Sequence, residues 1–421
     1  MKVVLNIPLL FLATLLLQGC SKDADWDPIY LAANGITIAC NASGAVGDTF
    51  EINGISYTIV DEAMLRLMVD NGEDLTTVCT SRVTDMSDIF RGTQFNQEIN
   101  SWDVSNVTDM GFMFAQTSFN QDISSWDVSN VTNMHFMFIE STFNQDISSW
   151  DVGNVTDMGW MFLESAFNQP IGNWDVSNVT NMEVMFADSP FNQDISTWNV
   201  SNVTTMGSMF SGSVFNQDIS SWDVSNVTNM GSMFGGSIFN QDISSWDVGN
   251  VTNMSGMFAD ALFNQPIGQW VLSNVKYLSS MFSGSVFNQD ISSWDVGNAV
   301  LMNGMFYDSL FNQPIGNWDV SKVTEMGHLF AKSQFNQDIN SWDVGYVRYM
   351  EGMFFESTFN QPIGNWDVGY CTSMLRMFRE SPFNQDLSGW NVINVMDCSE
   401  FSIDTPQWVL PKPNFTNCDP N

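Results

Sequence analysis

Apolar residues recur along this chain with a period of 24. The tripeptide Phe-Asn-Gln begins at Phe95 and returns every 24 residues up to Phe383, and a Trp follows each Phe seven places later, from Trp102 to Trp390. A fixed period of this size is typical of a solenoid, in which each unit buries its apolar face only by stacking on its neighbours. The thirteen units contain no insertion or deletion, so we expect one cooperative array rather than several domains.

The 24-residue unit divides into two arms with different spacing. In the first arm, from Phe119 to Trp126, apolar residues lie four and three positions apart, and four other units carry Pro at the place of Asp122. Because Pro has no N–H to donate and makes the preceding residue extended, this arm is expected to be extended, with a short strand near its Ile and Trp. The second arm, 131–138, has apolar residues at i, i+3 and i+6/i+7 beside a capping Thr, which predicts a short helix. The sequence therefore predicts an α/β repeat solenoid with leucine-rich-repeat-like coils of one short strand and one short helix.

The recurring Phe, Trp and Met side chains are expected to form a stacked core. Full burial of each such side chain is worth about 1.5–3 kcal/mol, and their regular recurrence favours packing over a ligand groove. The Asn of each Phe-Asn-Gln is expected to form an internal hydrogen-bond ladder rather than a binding site. No cofactor is predicted.

The first twenty residues have the pattern of an export signal. One Lys is followed by an apolar run at 7–17 and then by Gln-Gly-Cys, ending at Cys20. The run is too short to span a membrane comfortably, so a cleaved signal is expected. Its end resembles a bacterial lipobox, in which Cys20 would be lipidated and become the first mature residue; an ordinary signal peptide is the alternative. The segment 21–25 resembles the acidic surface-export signals of Bacteroidetes-type lipoproteins, which implies a lipid-anchored protein exposed on the bacterial outer membrane.

The repeat unit also resembles that of a known family. The sequence FNQDISSWDVSNVTNM, which begins at Phe119, is similar to the repeat of BspA-like leucine-rich-repeat surface proteins, a family of bacterial cell-surface and lipoprotein molecules. The resemblance covers about 75–406, and the segment 47–68 is similar to the lead-in that these proteins often carry. It implies surface exposure and adhesion to host or neighbouring-cell components, and it supplies no active site.

Pattern breaks give the expected domain organisation. Asn-Gly pairs within 29–40 and 49–60 indicate hairpins, 61–68 indicates a helix, and three Pro residues end the pattern after 405. We expect a lipoprotein signal peptide at 1–19, a lipid-anchored tether at 20–30, an N-terminal α+β cap with a degenerate first coil at 31–80, the solenoid at 81–406 and a C-terminal cap at 407–421.

Five cysteines follow Cys20. An exported protein is found where disulfides persist, and we predict two local pairs, Cys40 with Cys79 and Cys398 with Cys418, although sequence alone cannot fix connectivity. Cys371 is left over, at a repeat position that other units fill with Val, so a buried, inert thiol is expected.

Charge and motif content exclude several functions. The chain has 47 acidic and 12 basic residues, a net charge of −35, and this argues against nucleic acid as a partner because such binding needs clustered Lys and Arg. Two His residues leave little room for His-based chemistry. No phosphate-binding loop, nucleophile motif or metal-ligand cluster stands out, so the chain is not expected to be an enzyme.

Asp residues recur in columns along the repeats and contribute a large share of the negative charge. One column begins with Asp103, Asp127 and Asp151, and coils stacked about 5 Å apart would bring these carboxylates close, at a cost of roughly 0.8 kcal/mol per neighbouring pair in water. These three residues are weak calcium candidates, because Ca²⁺ prefers oxygen ligands. The favoured interpretation is that each carboxylate accepts hydrogen bonds from turn N–H groups.

Function is expected where the units differ. One variable column reads Phe112, Phe136, Trp160 and Val184 and then continues with Ser and Gly. Four bulky apolar residues could form an exposed patch for a partner; alternatively, the N-terminal cap folds back over them. The expected function is an adhesin that binds an extracellular protein or glycan and touches the membrane through its lipid anchor alone. A structural spacer without a ligand and a glycan-capture protein, for which exposed Trp and Tyr on one face are the expected feature, are the alternatives.

Overall fold

The computed structural model describes residues 27–421, so the predicted signal peptide and Cys20 lie outside the described residues. The described part begins with a hairpin of β1 (Ile29–Leu31) and β2 (Ile38–Cys40), followed by β3 (Thr49–Ile52) and β4 (Ile55–Ile59). Helix α1 (Glu62–Asp70) and β5 (Val78–Cys79) complete the segment. β3 pairs with β4 antiparallel, and β4 pairs with β5 parallel.

Turn and cap residues explain these local structures. Asn53 and Gly54, between β3 and β4, both have positive φ, which is the conformation that a two-residue hairpin turn requires. The Asp61 side chain accepts a hydrogen bond from the Met64 N–H at 2.9 Å and caps the start of α1. The chain leaves the helix at Asn71, and Gly72 follows with a φ of +69°.

The repeats form a solenoid whose coils are joined by single parallel bridges. One residue of each coil pairs with its equivalent 24 residues on, in an unbroken series from Asp85 to Asp397. Several N–H groups of each second arm reach the next coil: Met110 donates to the Asn133 carbonyl at 3.0 Å, and Phe114 donates to Met137 at 2.9 Å. The backbone of one coil therefore depends on the next, as the period predicted.

The structure corrects the predicted contents of a coil. No α-helix occurs among the described repeats, and the segment 131–138, predicted to be a helix, is a series of turns beginning at the bridge residue Asn133. Positive φ at Phe136 and again at Glu140 prevents a helix. The predicted strand near Ile123 and Trp126 is also wrong, because the Trp126 N–H closes a turn onto the Ile123 carbonyl at 3.2 Å.

Parallel stacks of aromatic rings fill the core. Phe114 and Phe138 are stacked with ring centroids 5.6 Å apart, and Trp126 and Trp150 lie 6.5 Å apart with rings parallel to within 1°. Each interior Trp donates its indole N–H to a main-chain carbonyl of the preceding coil, as Trp126 does to Ile99 at 3.1 Å. The Met, Phe and Trp positions are buried along the array except for the half-buried Phe95 at its start, so the prediction of a stacked core is confirmed.

Perpendicular rings close the far end of the stack. Phe401 and Trp408 both meet Phe378 edge-on, at interplanar angles of 78° and 77°. The predicted disulfide between Cys398 and Cys418 is formed. It ties the final segment to the last coil.

The predicted disulfide between Cys40 and Cys79 is not formed. Both thiols are free and buried, and a hydrogen bond with Cys79 is the main cause that lowers the pKa of Cys40 to about 7. Ser81 joins this group: its hydroxyl lies 3.5 Å from the Cys79 sulfur and donates to the Asp103 carboxylate. Hydrogen bonding therefore satisfies the pair without a covalent bond. The third free thiol, Cys371, is buried as predicted, and burial raises its pKa to about 12.

Candidate binding surface

The variable column Phe112, Phe136, Trp160 and Val184, called here the aromatic ladder, occupies a left-handed backbone position. The φ angles of these four residues lie between 58° and 62°. A left-handed conformation costs an L-residue roughly 1–2 kcal/mol, and bulky or β-branched side chains adopt it least readily. Later coils fill the same position mostly with small residues, such as Ser208, Ser232 and Gly256. The first four coils therefore keep bulky side chains where the backbone disfavours them.

The ladder residues form a continuous half-exposed stack. Phe112 and Phe136 have ring centroids 4.4 Å apart and nearly parallel planes, and Trp160 follows at 5.1 Å with a 34° tilt. The Arg91 guanidinium lies 4.4 Å from the centroid of Phe112 and covers the first ring. The three aromatic residues are half-buried, whereas Val184 is buried. The structure thus brings all three predicted aromatic residues together on the surface.

Apolar and ionic neighbours extend this surface. Ile139 and Leu163 are half-buried, and each donates its N–H to a ladder carbonyl one turn earlier. The His135 ring stands edge-on to Phe136 at 4.1 Å and contacts the Asp157 carboxylate at 3.0 Å. A Cβ at Gly159 would lie 2.9 Å from the His135 ring, so glycine leaves room for the imidazole. This contact between His135 and Asp157 was not predicted from the sequence, because the two residues are 22 positions apart.

The N-terminal cap docks on the first coils without burying the ladder. The Ile38 N–H donates to the Ser101 carbonyl at 2.7 Å, and Arg66 of α1 donates to the Ser87 carbonyl at 2.9 Å. Phe112, Phe136 and Trp160 each retain exposed surface. The alternative in which the cap folds back over these rings therefore does not describe the structure.

The calcium candidates are turn-capping residues. The carboxylate of Asp127 accepts the Ser129 N–H at 3.1 Å and its hydroxyl at 2.6 Å, and Asp151 accepts the Gly153 N–H at 3.1 Å. Asp103 makes the same turn and also accepts the Ser81 hydroxyl. Within residues 27–421, no three His, Cys, Asp or Glu side chains converge into a group that could hold a metal.

A second departure from the repeat was not predicted from the sequence. Tyr346 and Tyr370 replace Asn of the Asn-Val-Thr triplet in two successive coils, and both side chains are exposed. The signal that could have identified them is the replacement of Asn by Tyr in this polar column, whereas the predicted patch was sought in a column that changes from apolar to small residues.

Comparisons with known proteins identify the repeat. A family model described as "Mycoplasma protein of unknown function, DUF285" matches residues 61–166, 141–238, 163–261, 213–310 and 308–407. No curated protein matches the chain. In the described part, 27–421, no helix is long and apolar enough to cross a membrane.

One solved structure similar to this chain is the LRR ectodomain of the plant membrane receptor kinase GASSHO1/SCHENGEN3 from Arabidopsis thaliana, in complex with CASPARIAN STRIP INTEGRITY FACTOR 2. The match has 9% identity and a TM-score of 0.26, and it covers 76% of this chain and 50% of that chain. This chain thus spans half the length of that ectodomain, and a likeness at this TM-score carries no argument about fold or function.

Proposed function

The chain belongs to the family described as Mycoplasma protein of unknown function, DUF285, and we propose that it is a lipid-anchored surface protein that binds an extracellular protein through its aromatic ladder. Lipidation at Cys20 is part of this proposal and rests on the sequence resemblance to a lipobox. Adhesion rests on the resemblance of the repeat to BspA-like surface proteins. The ladder supplies the contact surface.

Backbone strain at the ladder is the observation that carries this proposal. Bulky residues at positive φ cost stability, and the core does not require them, because neighbouring coils are built with Ser or Gly at the same place. Strained positions of this kind cluster at functional sites. The rings recover part of this cost by stacking on one another and beneath Arg91, but Ser or Gly would avoid the cost, and this favours a role for the rings outside the fold.

The chemistry of the ladder suits a protein partner. Stacked Phe and Trp rings with exposed edges resemble the aromatic anchors that carry most of the binding free energy in protein interfaces. Arg91 and the His135–Asp157 pair border the rings with polar groups. An apolar centre with a polar rim is the usual arrangement of such interfaces.

The test replaces ladder residues with those that other coils carry. We expect the mature protein to bind whole cells or immobilised matrix proteins, and Phe136→Ser with Trp160→Gly to weaken this binding at least about tenfold, as loss of a hot-spot pair would. The melting temperature should not fall by more than a few degrees, because Ser and Gly suit the left-handed position. Phe355→Ser, which removes a half-buried ring far along the array, is the matched control.

Two results would count against the proposal. Binding that the double variant retains would remove the ladder from the interaction, and absence of binding to every cell and matrix protein would favour a structural spacer. Anchoring is tested separately with Cys20→Ser, which should abolish incorporation of labelled fatty acid and release the protein from the membrane fraction. Retention of the label by this variant would exclude lipidation at Cys20.

A further inference from the structure

A side-chain ladder joins the turns of successive coils along one edge of the solenoid. The Asn of each Asn-Val-Thr triplet donates its side-chain N–H to a carbonyl 25 residues earlier, as Asn130 does to Ser105 and Asn298 to Ser273, both at 2.7 Å. The same bond occurs without a break in nine coils, at Asn106, Asn130, Asn154, Asn178, Asn202, Asn226, Asn250, Asn274 and Asn298. The structural role of this Asn column is therefore to link successive coils by hydrogen bonds.

Three successive coils forgo this bond. Lys322, Tyr346 and Tyr370 occupy the column there, and the ladder resumes with Asn394, which donates to the Gly369 carbonyl at 2.7 Å. Lys322 instead donates its ammonium N–H to the Asn298 side-chain oxygen of the preceding coil. Arg348, two residues after Tyr346, stands where most coils have Thr. In those coils the Thr hydroxyl donates to a main-chain carbonyl of the preceding coil, as that of Thr132 does to Thr108. Since each lost bond would have stabilised the stack, the two Tyr coils place other side chains on the surface at a cost to the fold.

The replaced positions form an exposed aromatic surface, called here the tyrosine strip: Tyr346, Tyr349 and Tyr370 with Arg348, Ile393 and Met396. Tyr346 and Tyr370 are 64% and 63% exposed, and their stacked rings lie 6.0 Å apart, one ring per coil. The members of the strip other than Tyr346 also line a shallow groove of about 470 Å³ together with Asn394. Flat rings therefore repeat along the solenoid axis beside an open groove.

We propose that the tyrosine strip is a binding site for a neutral polysaccharide. Exposed tyrosine rings offer apolar faces on which sugar rings can stack, and their spacing is comparable to the length of one hexose. One ring per coil suits a ligand that itself repeats along a line. This surface lies almost seven units beyond Val184, roughly 30 Å away at about 4.8 Å per coil, so the inference is independent of the function proposed for the aromatic ladder.

Polar groups around the rings match the hydroxyl groups of a sugar. Arg348 is exposed, and within residues 27–421 it forms no ion pair, which leaves its guanidinium N–H groups free to donate. One carboxylate oxygen of Asp343 accepts the Gly345 N–H at 3.0 Å, and its other oxygen has no partner among the described residues. Donors and acceptors beside an aromatic face are the groups that orient a bound ligand.

Charge decides between neutral and anionic ligands. The chain carries a net charge of −35, and Asp343 and Asp367 occur three residues before the two exposed tyrosines. A polyanion would be repelled by the net charge of the chain and by these two carboxylates, which outnumber the single guanidinium of Arg348 in the strip. A neutral polysaccharide meets no such repulsion, and its hydroxyl groups can donate to the same carboxylates.

The test restores the consensus at the strip. Tyr346→Asn with Tyr370→Asn should re-form the ladder bonds, so the melting temperature should stay the same or rise. Native gels containing hydroxyethylcellulose, laminarin, galactomannan or soluble starch should retard the mature wild-type protein in at least one case. The double Asn variant should bind that polysaccharide at least about tenfold more weakly. The pair Tyr346→Phe with Tyr370→Phe should keep most of the affinity, because the ring faces remain.

Three outcomes would overturn the proposal. They are no retardation by any of the four neutral polysaccharides, equal affinity of the wild type and the double Asn variant, and strip-dependent binding of hyaluronan or gelatin but of no neutral polysaccharide. The last of these would assign the strip to an anionic glycan or a protein. Tyr307→Ser, which removes a tyrosine outside the strip in the same third of the rod, is the matched control and should bind like the wild type.

Discussion

The ladder formed by the Asn of Phe-Asn-Gln should contribute measurably to stability, and Asn192 offers a clean test. Its side-chain oxygen accepts the Asn216 N–H at 2.9 Å and the Gln217 side-chain N–H at 3.1 Å. Gln217 also reaches the main-chain carbonyl of Asn192 at 3.2 Å, and that bond survives when the side chain is removed. Asn192→Ala therefore deletes two acceptor contacts between two adjacent coils and leaves the rest of the junction intact.

The expected cost follows from those two contacts. A hydrogen bond in a folded protein is worth about 0.5–1.5 kcal/mol net, so losing two should lower the free energy of unfolding by about 1–3 kcal/mol. Asn192 and Asn216 are half-buried, and water can replace only part of what is lost. In a linear array the penalty falls on one interface between neighbours.

Urea denaturation followed by tryptophan fluorescence measures this loss. Asn192→Asp is the matched control, because it retains the accepting oxygen. It replaces the amide nitrogen, for which the structure shows no hydrogen bond among the described residues, with a second oxygen and adds one negative charge. We expect Asp to cost clearly less than Ala. Equal losses for the two variants, or a loss below about 0.5 kcal/mol for Ala, would refute the view that the acceptor bonds hold the coils together.

Other predictions concern protons, thiols and metal. Turn hydrogen bonds from Ser220 lower the pKa of Asp218 from its ordinary value of 3.8, in spite of the nearby charge of Asp194. Such groups stabilise the fold above that ordinary value, and this contribution is lost as the pH falls through the lower folded-state pKa. The melting temperature should thus decrease from about pH 5 to about pH 3; an increase would mean that repulsion between carboxylates dominates. With its pKa near 7, Cys40 should react with iodoacetamide at neutral pH before Cys371 does, and equal labelling of the two thiols would contradict this. Diamide should oxidise Cys40 and Cys79 to a disulfide with a mass loss of two hydrogens, and an unchanged mass would contradict that expectation. EDTA should leave the melting temperature unchanged, and a fall on chelation would restore the Asp columns as calcium ligands.

The period and the core could be read from the sequence because they depend only on which residues recur. Val131, Met134 and Phe138 are buried as predicted. The conformation of the second arm could not be read in the same way. Apolar residues at i, i+3 and i+6/i+7 lie on the inner side of a helix. They also lie on the inner side of consecutive turns that have a left-handed residue at every fourth position, so this spacing does not distinguish the two conformations.

The positive φ of the ladder position could not be predicted from the residues that occupy it in the first coils. Gly256 and Gly304 would have indicated positive φ, but Phe136 and Trp160, at the equivalent place, indicate the opposite. Phe and Trp prefer negative φ, whereas their position in the coil requires positive φ. The coil determines the conformation because the N–H groups of this arm donate hydrogen bonds to the next coil. The predicted Cys40–Cys79 disulfide failed for a different reason. Sequence proximity and an oxidising location favoured a bond, whereas the arrangement of Ser81 and Asp103 that satisfies the thiols is visible only in three dimensions.

In a repeat array, a residue that departs from the consensus at a cost in stability can be distinguished from a residue that serves packing. Where a coil follows the consensus, each of its side chains has a structural reason, such as a ladder bond, a turn cap or a place in a ring stack. The Asp columns belong to this class, so the charge of −35 reports turn capping rather than chemistry. Phe136 and Tyr346 belong to the opposite class: the first carries backbone strain and the second forgoes a hydrogen bond. Such a residue costs the fold stability at a place where the consensus residue would not, and binding to another molecule supplies a reason for it.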